Sequence, residues 1–268
     1  MLTDRFGRTV DYLRVSVTDR CDLRCTYCLP KGFKGFEEPR NWLTFDEISR
    51  VVAAFGRMGT RRIRLTGGEP LLRRGIAGLA ADLARLPGIA DLSLTTNATQ
   101  LARQATALRQ AGVRRLNVSL DSLRGDCLHD ITGRDCHADV MAGLMAAKAA
   151  GFEQIKINMV PLAGVNEGDV GDMVRFCIGH GFILRLIEAM PMGDSGRSVR
   201  GAELAPLLEQ LAHEFALLPL SVSMGGGPAR YWQSADARFT LGLITPMSQH
   251  FCASCNRVRL SVDGTLYL

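Results

Sequence analysis

Six strand-and-helix signals in regular alternation, followed by short strand signals after Gly225-Gly226-Gly227-Pro228, predict an α/β protein. The expected architecture is a partial (β/α)6 barrel of the TIM type with a small C-terminal β-containing extension. Residues 1–220 are read as the partial barrel and residues 221–268 as the extension. Six units fall short of the eight that close such a barrel, so the sheet is expected to stay open. With 268 residues, 47% hydrophobic and 22% charged, the chain can bury a sizeable core.

Each unit has its own signal. Residues 13–17 alternate apolar and polar side chains up to Thr18-Asp19, the pattern of a half-buried strand. Thr44-x-x-Glu47 is a capping box, and Ile48, Val51, Val52 and Phe55 follow at helical spacing, with Gly56 and Gly59 near the stop. Residues 63–66 read as the second strand, with a helix to about Leu86 after Gly67-Gly68-Glu69-Pro70. The next units pair a strand at 89–95 with a helix at 100–111, and a strand at 116–120 with a helix at 138–150. Two more pair a strand at 154–160 with a helix at 168–180, and a strand at 182–187 with a helix at 201–215. Beyond the glycine run, residues 239–244, 257–262 and 265 onward read as strands, the last two joined by the hairpin signal Asp263-Gly264. The sequence stops at Leu268 inside a strand, so it reads as a fragment lacking its C-terminus.

Composition narrows the function classes. No run of about 18 apolar residues is present, and the N-terminus lacks a charge-then-apolar signal pattern, which points to a cytoplasmic protein without a membrane partner. Eight cysteines in that compartment are better read as metal ligands or buried thiols than as disulfides. The net charge is +5 and 28 of the 32 basic residues are arginine, yet no basic run is dense enough to argue for nucleic acid.

The densest chemical signal is Cys21-Asp22-Leu23-Arg24-Cys25-Thr26-Tyr27-Cys28, at C-x3-C-x2-C spacing. Thiolates this close can reach one metal centre from a single loop. They suit an iron–sulfur cluster with one iron left open, or part of a zinc site that would want a fourth ligand. In parallel α/β folds ligands bind beyond the carboxyl ends of the strands. Polar residues there are Gly67-Gly68-Glu69, Thr95-Thr96-Asn97, Ser119 and Asp121, Lys156 and Asn158, and Glu188 with Met190. All are expected to face one cavity with the cysteine loop. Gly67-Gly68 lacks any Cβ, so its amides and carbonyls can hold the polar end of an amino acid, or simply turn the chain.

The cysteine loop, with Tyr27 before its last cysteine and Gly67-Gly68-Glu69-Pro70 after it, resembles the radical S-adenosylmethionine superfamily. The resemblance implies a [4Fe–4S] cluster on Cys21, Cys25 and Cys28, with its open iron chelated by the methionine part of S-adenosyl-L-methionine. Reductive cleavage of that cofactor would supply a 5′-deoxyadenosyl radical. Arg14-Val15-Ser16-Val17-Thr18-Asp19, Arg64-Leu65-Thr66, Asn117-Val118-Ser119-Leu120-Asp121-Ser122 and Phe251-Cys252-Ala253-Ser254-Cys255-Asn256-Arg257-Val258-Arg259 narrow the match. Over essentially the whole chain they resemble the GTP 3′,8-cyclase family, lyases of molybdenum cofactor biosynthesis.

That resemblance implies hydrogen abstraction from ribose C3′ of GTP and attack of the carbon radical on guanine C8, giving (8S)-3′,8-cyclo-7,8-dihydroguanosine 5′-triphosphate. It carries cofactor contacts over to Tyr27, Gly68, Ser119 and Met190. GTP contacts carry over to Arg14, Arg64, Thr95, Lys156, Arg257, Val258 and Arg259, with Arg185 a further candidate. A triphosphate wants several fixed cations, and arginine offers forked donors for its oxygens. No side chain is expected to be catalytic beyond the clusters and the cofactor. Cys252 and Cys255 would hold a second, substrate-binding [4Fe–4S] cluster, whose third cysteine would fall just past Leu268. The chain is therefore expected to keep the first cluster and to lose or weaken the second, binding about four irons on reconstitution rather than about eight. The implied partners are GTP, a reductase or flavodoxin-type electron donor, the downstream cyclic pyranopterin monophosphate synthase, and a second copy in a homodimer.

Two other readings stay open on the sequence: a peptide-modifying radical enzyme with an auxiliary cluster, and a zinc-stabilised binding protein without catalysis. Val170, Met173, Val174 and Cys177 fall at i, i+3, i+4 and i+7, which makes Cys177 a buried helix residue. Cys127 and Cys136 lie in a loop-like stretch and receive no role, and Trp42 is read as core.

Overall fold

The computed structural model describes residues 2–4, 7–28, 41–191, 193–221, 227–249 and 255–267. Six parallel strands run side by side in chain order: β1 (Tyr12–Ser16), β2 (Arg62–Thr66), β3 (Asp91–Thr96), β4 (Arg115–Ser119), β5 (Gln154–Met159) and β6 (Ile183–Ile187). The C-terminal strands extend both edges of this sheet. β7 (Leu217–Leu220), β8 (Arg230–Ser234) and β9 (Thr240–Ile244) lie beyond β6, with β9 parallel to β6, β8 antiparallel to β9 and β7 antiparallel to β8. On the far side β10 (Arg257–Leu260) runs parallel to β1, and β11 (Leu266–Tyr267) folds back on it. The order β11-β10-β1-β2-β3-β4-β5-β6-β9-β8-β7 leaves β11 and β7 at opposite edges, so the barrel is open.

Alternation along the strands sorts side chains onto two faces. One face is apolar: Leu13 pairs in register with Ile63 and Val258, Ile63 with Leu92, Leu116 with Ile155, and Leu184 with Leu241. All are at least 95% buried in one hydrophobic core with the helices. The opposite face is polar, although strands covered on both faces usually read as continuous apolar runs. There Arg14 registers with Arg64 and Arg259, Arg64 with Ser93, Asn117 with Lys156, and Asn158 with Arg185. A buried polar face stabilises the fold poorly, which makes the interior of the partial barrel the candidate binding side.

The outer helices are α1 (Phe45–Arg57), α2 (Ile76–Ala84), α3 (Leu101–Gln110), α4 (Gly125–Thr132), α5 (His137–Ala149), α6 (Val170–His180), α7 (Gly193–Arg197) and α8 (Leu204–Glu214). The capping box is formed: the Glu47 amide donates to Thr44 Oγ1 at 3.2 Å, and the Thr44 amide to Glu47 Oε2 at 2.7 Å. Thr44→Ala is expected to lower unfolding free energy by about 1 kcal/mol, read as a shifted urea midpoint at unchanged slope.

Three expectations need correction. The helix expected after Gly67-Gly68-Glu69-Pro70, to about Leu86, is broken: a 3₁₀ turn (Pro70–Leu72) is followed by Gly75 in the left-handed region, φ 81°, before α2 begins. The stretch around Cys127 is a helix, α4, ended by Gly133 at φ 70°, and both Cys127 and Cys136 are buried. Trp42 lies outside the hydrophobic core, with the Arg20 and Arg73 guanidiniums 5.5 and 5.8 Å from its ring centroid. Cys177 is fully buried on α6, as its spacing implies. The expected hairpin forms as a three-residue connection: Ser261 donates its amide to the Thr265 carbonyl, with Gly264 at φ 91°.

Candidate active site

The cysteine loop leaves the carboxyl end of β1 and is held from three sides. The Arg24 and Thr26 amides donate to the Thr132 and Ile131 carbonyls, fixing the loop against the end of α4. Arg134 Nη1, Asn97 Nδ2 and Thr99 Oγ1 donate to the Asp22 carboxylate at 2.8, 2.8 and 2.7 Å. Tyr27 donates its hydroxyl to Asp121 Oδ2 at 2.6 Å, while the Val160 amide donates to Asp121 Oδ1. Burial pushes Asp121 up to about 6 despite those two donors.

The Gly67-Gly68 turn serves the same loop. The Gly68 amide donates to the Thr18 carbonyl at 2.8 Å and the Glu69 amide to the Arg20 carbonyl at 2.6 Å. A Cβ on Gly67 would collide with the Thr18 carbonyl, and one on Gly68 with the Arg20 carbonyl. The glycines thus admit this chain's own backbone, and the Gly68 amide, expected to hold a ligand, is used internally. Glu69 itself is buried, accepting from Thr96 Oγ1 and the Asn97 and Leu71 amides, and burial pushes its carboxyl up to about 7.

Three thiols on one anchored loop fit a cluster. Burial pushes Cys21 up to about 11 and Cys25 well above the usual thiol range, so bound metal must displace their protons. The Leu23 amide donates to Cys21 Sγ at 3.4 Å, the kind of donor that supports a thiolate. Among the described residues no three His, Cys, Asp or Glu side chains converge on a single ion, and thiolates on separate irons need no such convergence. Of the second pair, Cys255 lies just before β10, and Cys252 is outside the described residues.

The polar side of the sheet carries a row of cations. Arg14 Nε, Arg64 Nε and Thr95 Oγ1 are buried without a hydrogen-bond partner, an arrangement that suits an incoming acceptor-rich ligand. Burial and the neighbouring Arg64, Arg259 and Arg257 charges lower Arg14 to about 10. Lys156 falls from 10.5 to about 7 through burial and the Arg185, Arg115 and Arg64 charges, and its Nζ donates to the Tyr231 hydroxyl at 3.2 Å. Arg257 and Arg259 share the face of Tyr12 and Arg14 by register. Val258 points the other way into the core, 3% exposed, so it could offer a nucleotide only its backbone.

Not every strand-end residue faces the cavity. Thr96, Asn97 and Asp121 bind the chain itself, and Glu188 accepts the Met247 and Ser248 amides beyond β9. Arg185 is braced by Asn117 Oδ1 at 2.5 Å and Asn158 Oδ1 at 2.6 Å. Ser119 ends β4, and Met190 is exposed beyond β6. The sequence reading missed Arg115, a further cation on this face that is paired with Asp91, and Tyr231 on β8, whose hydroxyl accepts from Lys156. The period-two placement of Arg115 against Asn117 was the available signal for the first. Nothing local announces Tyr231, because β8 reaches the cavity only through its pairing with β9.

A polar-lined, open (β/α)6 barrel with a three-cysteine loop after its first strand defines a radical S-adenosylmethionine protein, and residues 15–177 match the Radical SAM superfamily. The streptococcal protein SuiB from Streptococcus suis, solved with S-adenosylmethionine bound, shares this fold with a TM-score of 0.72 at 16% identity, over 96% of this chain and 60% of that one. Residues 182–268 match Molybdenum Cofactor Synthesis C. The GTP 3′,8-cyclase of Pseudomonas putida strain GB-1 is 46% identical over all of this chain and 80% of its own length, and that of Rhizobium etli strain CIAT 652 is 46% identical over 77% of its length. The chain belongs to the GTP 3′,8-cyclase family.

Proposed function

We propose that this chain converts GTP to the 3′,8-cyclised dihydroguanosine triphosphate that opens molybdenum cofactor biosynthesis. The observation that carries the reading is the cation row, with its unpartnered Arg14, Arg64 and Thr95 atoms, on the polar face of the sheet whose first strand leads into the cysteine loop. Cys21, Cys25 and Cys28 would hold a [4Fe–4S] cluster, which with S-adenosylmethionine supplies a hydrogen-abstracting radical. Tyr27, Gly68, Ser119 and Met190 would position the cofactor, Tyr27 through its backbone because Asp121 engages its hydroxyl. Arg14, Arg64, Lys156, Arg257 and Arg259 would hold the triphosphate, Thr95 would offer its hydroxyl, and Val258 its backbone. The 221–268 region, with Cys252 and Cys255, would complete the substrate side. The buried walls exclude water from a radical that would otherwise be quenched.

In this reading the electron donor is a reductase or flavodoxin-type protein, the product passes to cyclic pyranopterin monophosphate synthase, and the enzyme works in the cytoplasm, as a homodimer. No helix among the described residues is long and apolar enough to cross a membrane. The test is anaerobic incubation of reconstituted protein with S-adenosylmethionine, a reductant and GTP. The expected result is 5′-deoxyadenosine formation with GTP consumption; formation of neither refutes the reading.

The reading also fixes a pH dependence. A lysine lowered to about 7 is half neutral there, and a triphosphate beside it favours the charged form. Binding therefore takes up a proton, and affinity should fall as pH rises above about 7, by up to roughly tenfold per unit. Without ligand the sign is opposite: the unfolded chain holds the lysine proton up to its ordinary 10.5, so stability should rise between about 7 and 10.5. Calorimetry of GTP binding at pH 8 in buffers of different ionisation enthalpy should show the uptake. A Lys156→Met variant should show less of it.

A further inference from the structure

Asp22 sits inside the cysteine loop, yet its chemistry is directed away from any metal, toward three donors on other elements. Its consequence is the orientation of Asn97. Asn97 Oδ1 accepts from the Thr99 amide at 3.0 Å and lies 2.9 Å from Thr99 Oγ1. Nδ2 on the other side donates to Asp22 Oδ1 at 2.8 Å. Flipping the amide would set its oxygen against a carboxylate and its N–H groups against a backbone donor, so the orientation is determined. A side-chain amide carries two N–H groups, and Asp22 takes one. Nδ2 also lies 3.9 Å from Cys21 Sγ, within reach of an N–H···S hydrogen bond. Asn97 is 9% exposed, so water competes little for that donor.

We propose that Asn97 is a positioning residue for reduction: it donates to the Cys21 thiolate, and Thr99, Asp22 and Arg134 hold it there, raising the reduction potential of the cluster on this loop. The inference rests on the reading that the loop holds a cluster. Reduction adds negative charge that spreads onto the cysteine sulfurs, and a donor aimed at one of them stabilises the reduced state more than the oxidised one. A net contribution typical of one hydrogen bond amounts to about a tenfold change in the one-electron equilibrium, or about 59 mV. The Leu23 amide is the second donor on the same sulfur, and substitutions at Asn97 leave it in place.

The experiment is a potentiometric titration of the anaerobically reconstituted protein, followed by electron paramagnetic resonance, without S-adenosylmethionine. Asn97→Leu and Asn97→Ser should each shift the equilibrium about tenfold toward the oxidised cluster. Thr99→Ser keeps both the hydroxyl and the backbone donor and should titrate like the unmodified protein. A readout that needs no variant runs beside it: protein labelled with 15N only in asparagine should show a nitrogen coupled to the reduced cluster spin. An unshifted potential in both folded Asn97 variants, or no 15N coupling in the unmodified protein, overturns the proposal while leaving the cluster in place. Failure of the unmodified protein to form any reducible cluster overturns the cluster reading itself.

Discussion

Replacing Gly68 by alanine is expected to destabilise the protein by about 3 kcal/mol and to lower the iron bound on reconstitution. The φ angle at Gly68 lies outside the left-handed region, so the requirement is one of space alone. An added Cβ meets the Arg20 and Asp19 carbonyls, backbone atoms that cannot rotate aside like the tip of a flexible side chain. Relief must come from moving residues 18–20 away from β2. That movement breaks the bonds from the Gly68 amide to Thr18 and from the Glu69 amide to Arg20. Because Cys21 follows Arg20 directly, the strain is delivered at the root of the cysteine loop. Gly168→Ala is the matched control, since nothing lies within 4 Å of the Cβ it would add, and it should stay within about 0.5 kcal/mol of the parent. Urea unfolding and iron content together check the pair. A Gly68→Ala protein with unchanged midpoint and unchanged iron would show that the loop root tolerates displacement.

The alternation of strand and helix was readable because each outward strand face and each helix stripe obeys its own period, as at Leu13 and Val15 or Ile48, Val52 and Phe55. β7 contains Pro219, which speaks against an interior strand, and it is indeed an edge strand. After Gly67-Gly68-Glu69-Pro70, the apolar Leu71, Ile76, Leu79 and Leu83 give no sign of an interruption. The break at Gly75 depends on a left-handed φ that composition does not declare. The cysteine loop stands out by its spacing, whereas its supports do not. Asp22, Asn97, Thr99, Asp121 and Arg134 are scattered over 113 residues of sequence, and only folding brings their side chains together.

The two halves of the cavity rest on different physics. The loop side is over-determined: every polar group that anchors Asp22, Tyr27 and Glu69 is matched with a donor or acceptor. The polar face of the sheet is satisfied only in part: Lys156, Arg115 and Arg185 have partners, while Arg14 Nε and Arg64 Nε, buried among like charges, have none. Rigid support suits a redox group whose ligands must not wander, and unsatisfied charge suits a site that waits for a polyanion.

That contrast gives the second large effect, with opposite signs for stability and binding. Arg14→Met and Arg64→Met should each make the ligand-free protein more stable, by about 1 kcal/mol, because they remove a desolvated charge from beside others of the same sign. The direction follows from the lowered pKa values: Arg14 at about 10 and Arg64 also below its usual value show that burial and neighbouring charge disfavour the protonated form. Both remain protonated at neutral pH, so the cost is fully present there. Methionine fills similar space without asking for a partner. The same substitutions remove a charged donor from the triphosphate, worth about 2–3 kcal/mol, so GTP binding should weaken by roughly 30- to 150-fold. Thermal unfolding without ligand and calorimetric titration with GTP measure the two sides separately. A variant that loses stability and keeps its GTP affinity would mean that these guanidiniums are structural, and the nucleotide would have to lie elsewhere on the cavity wall.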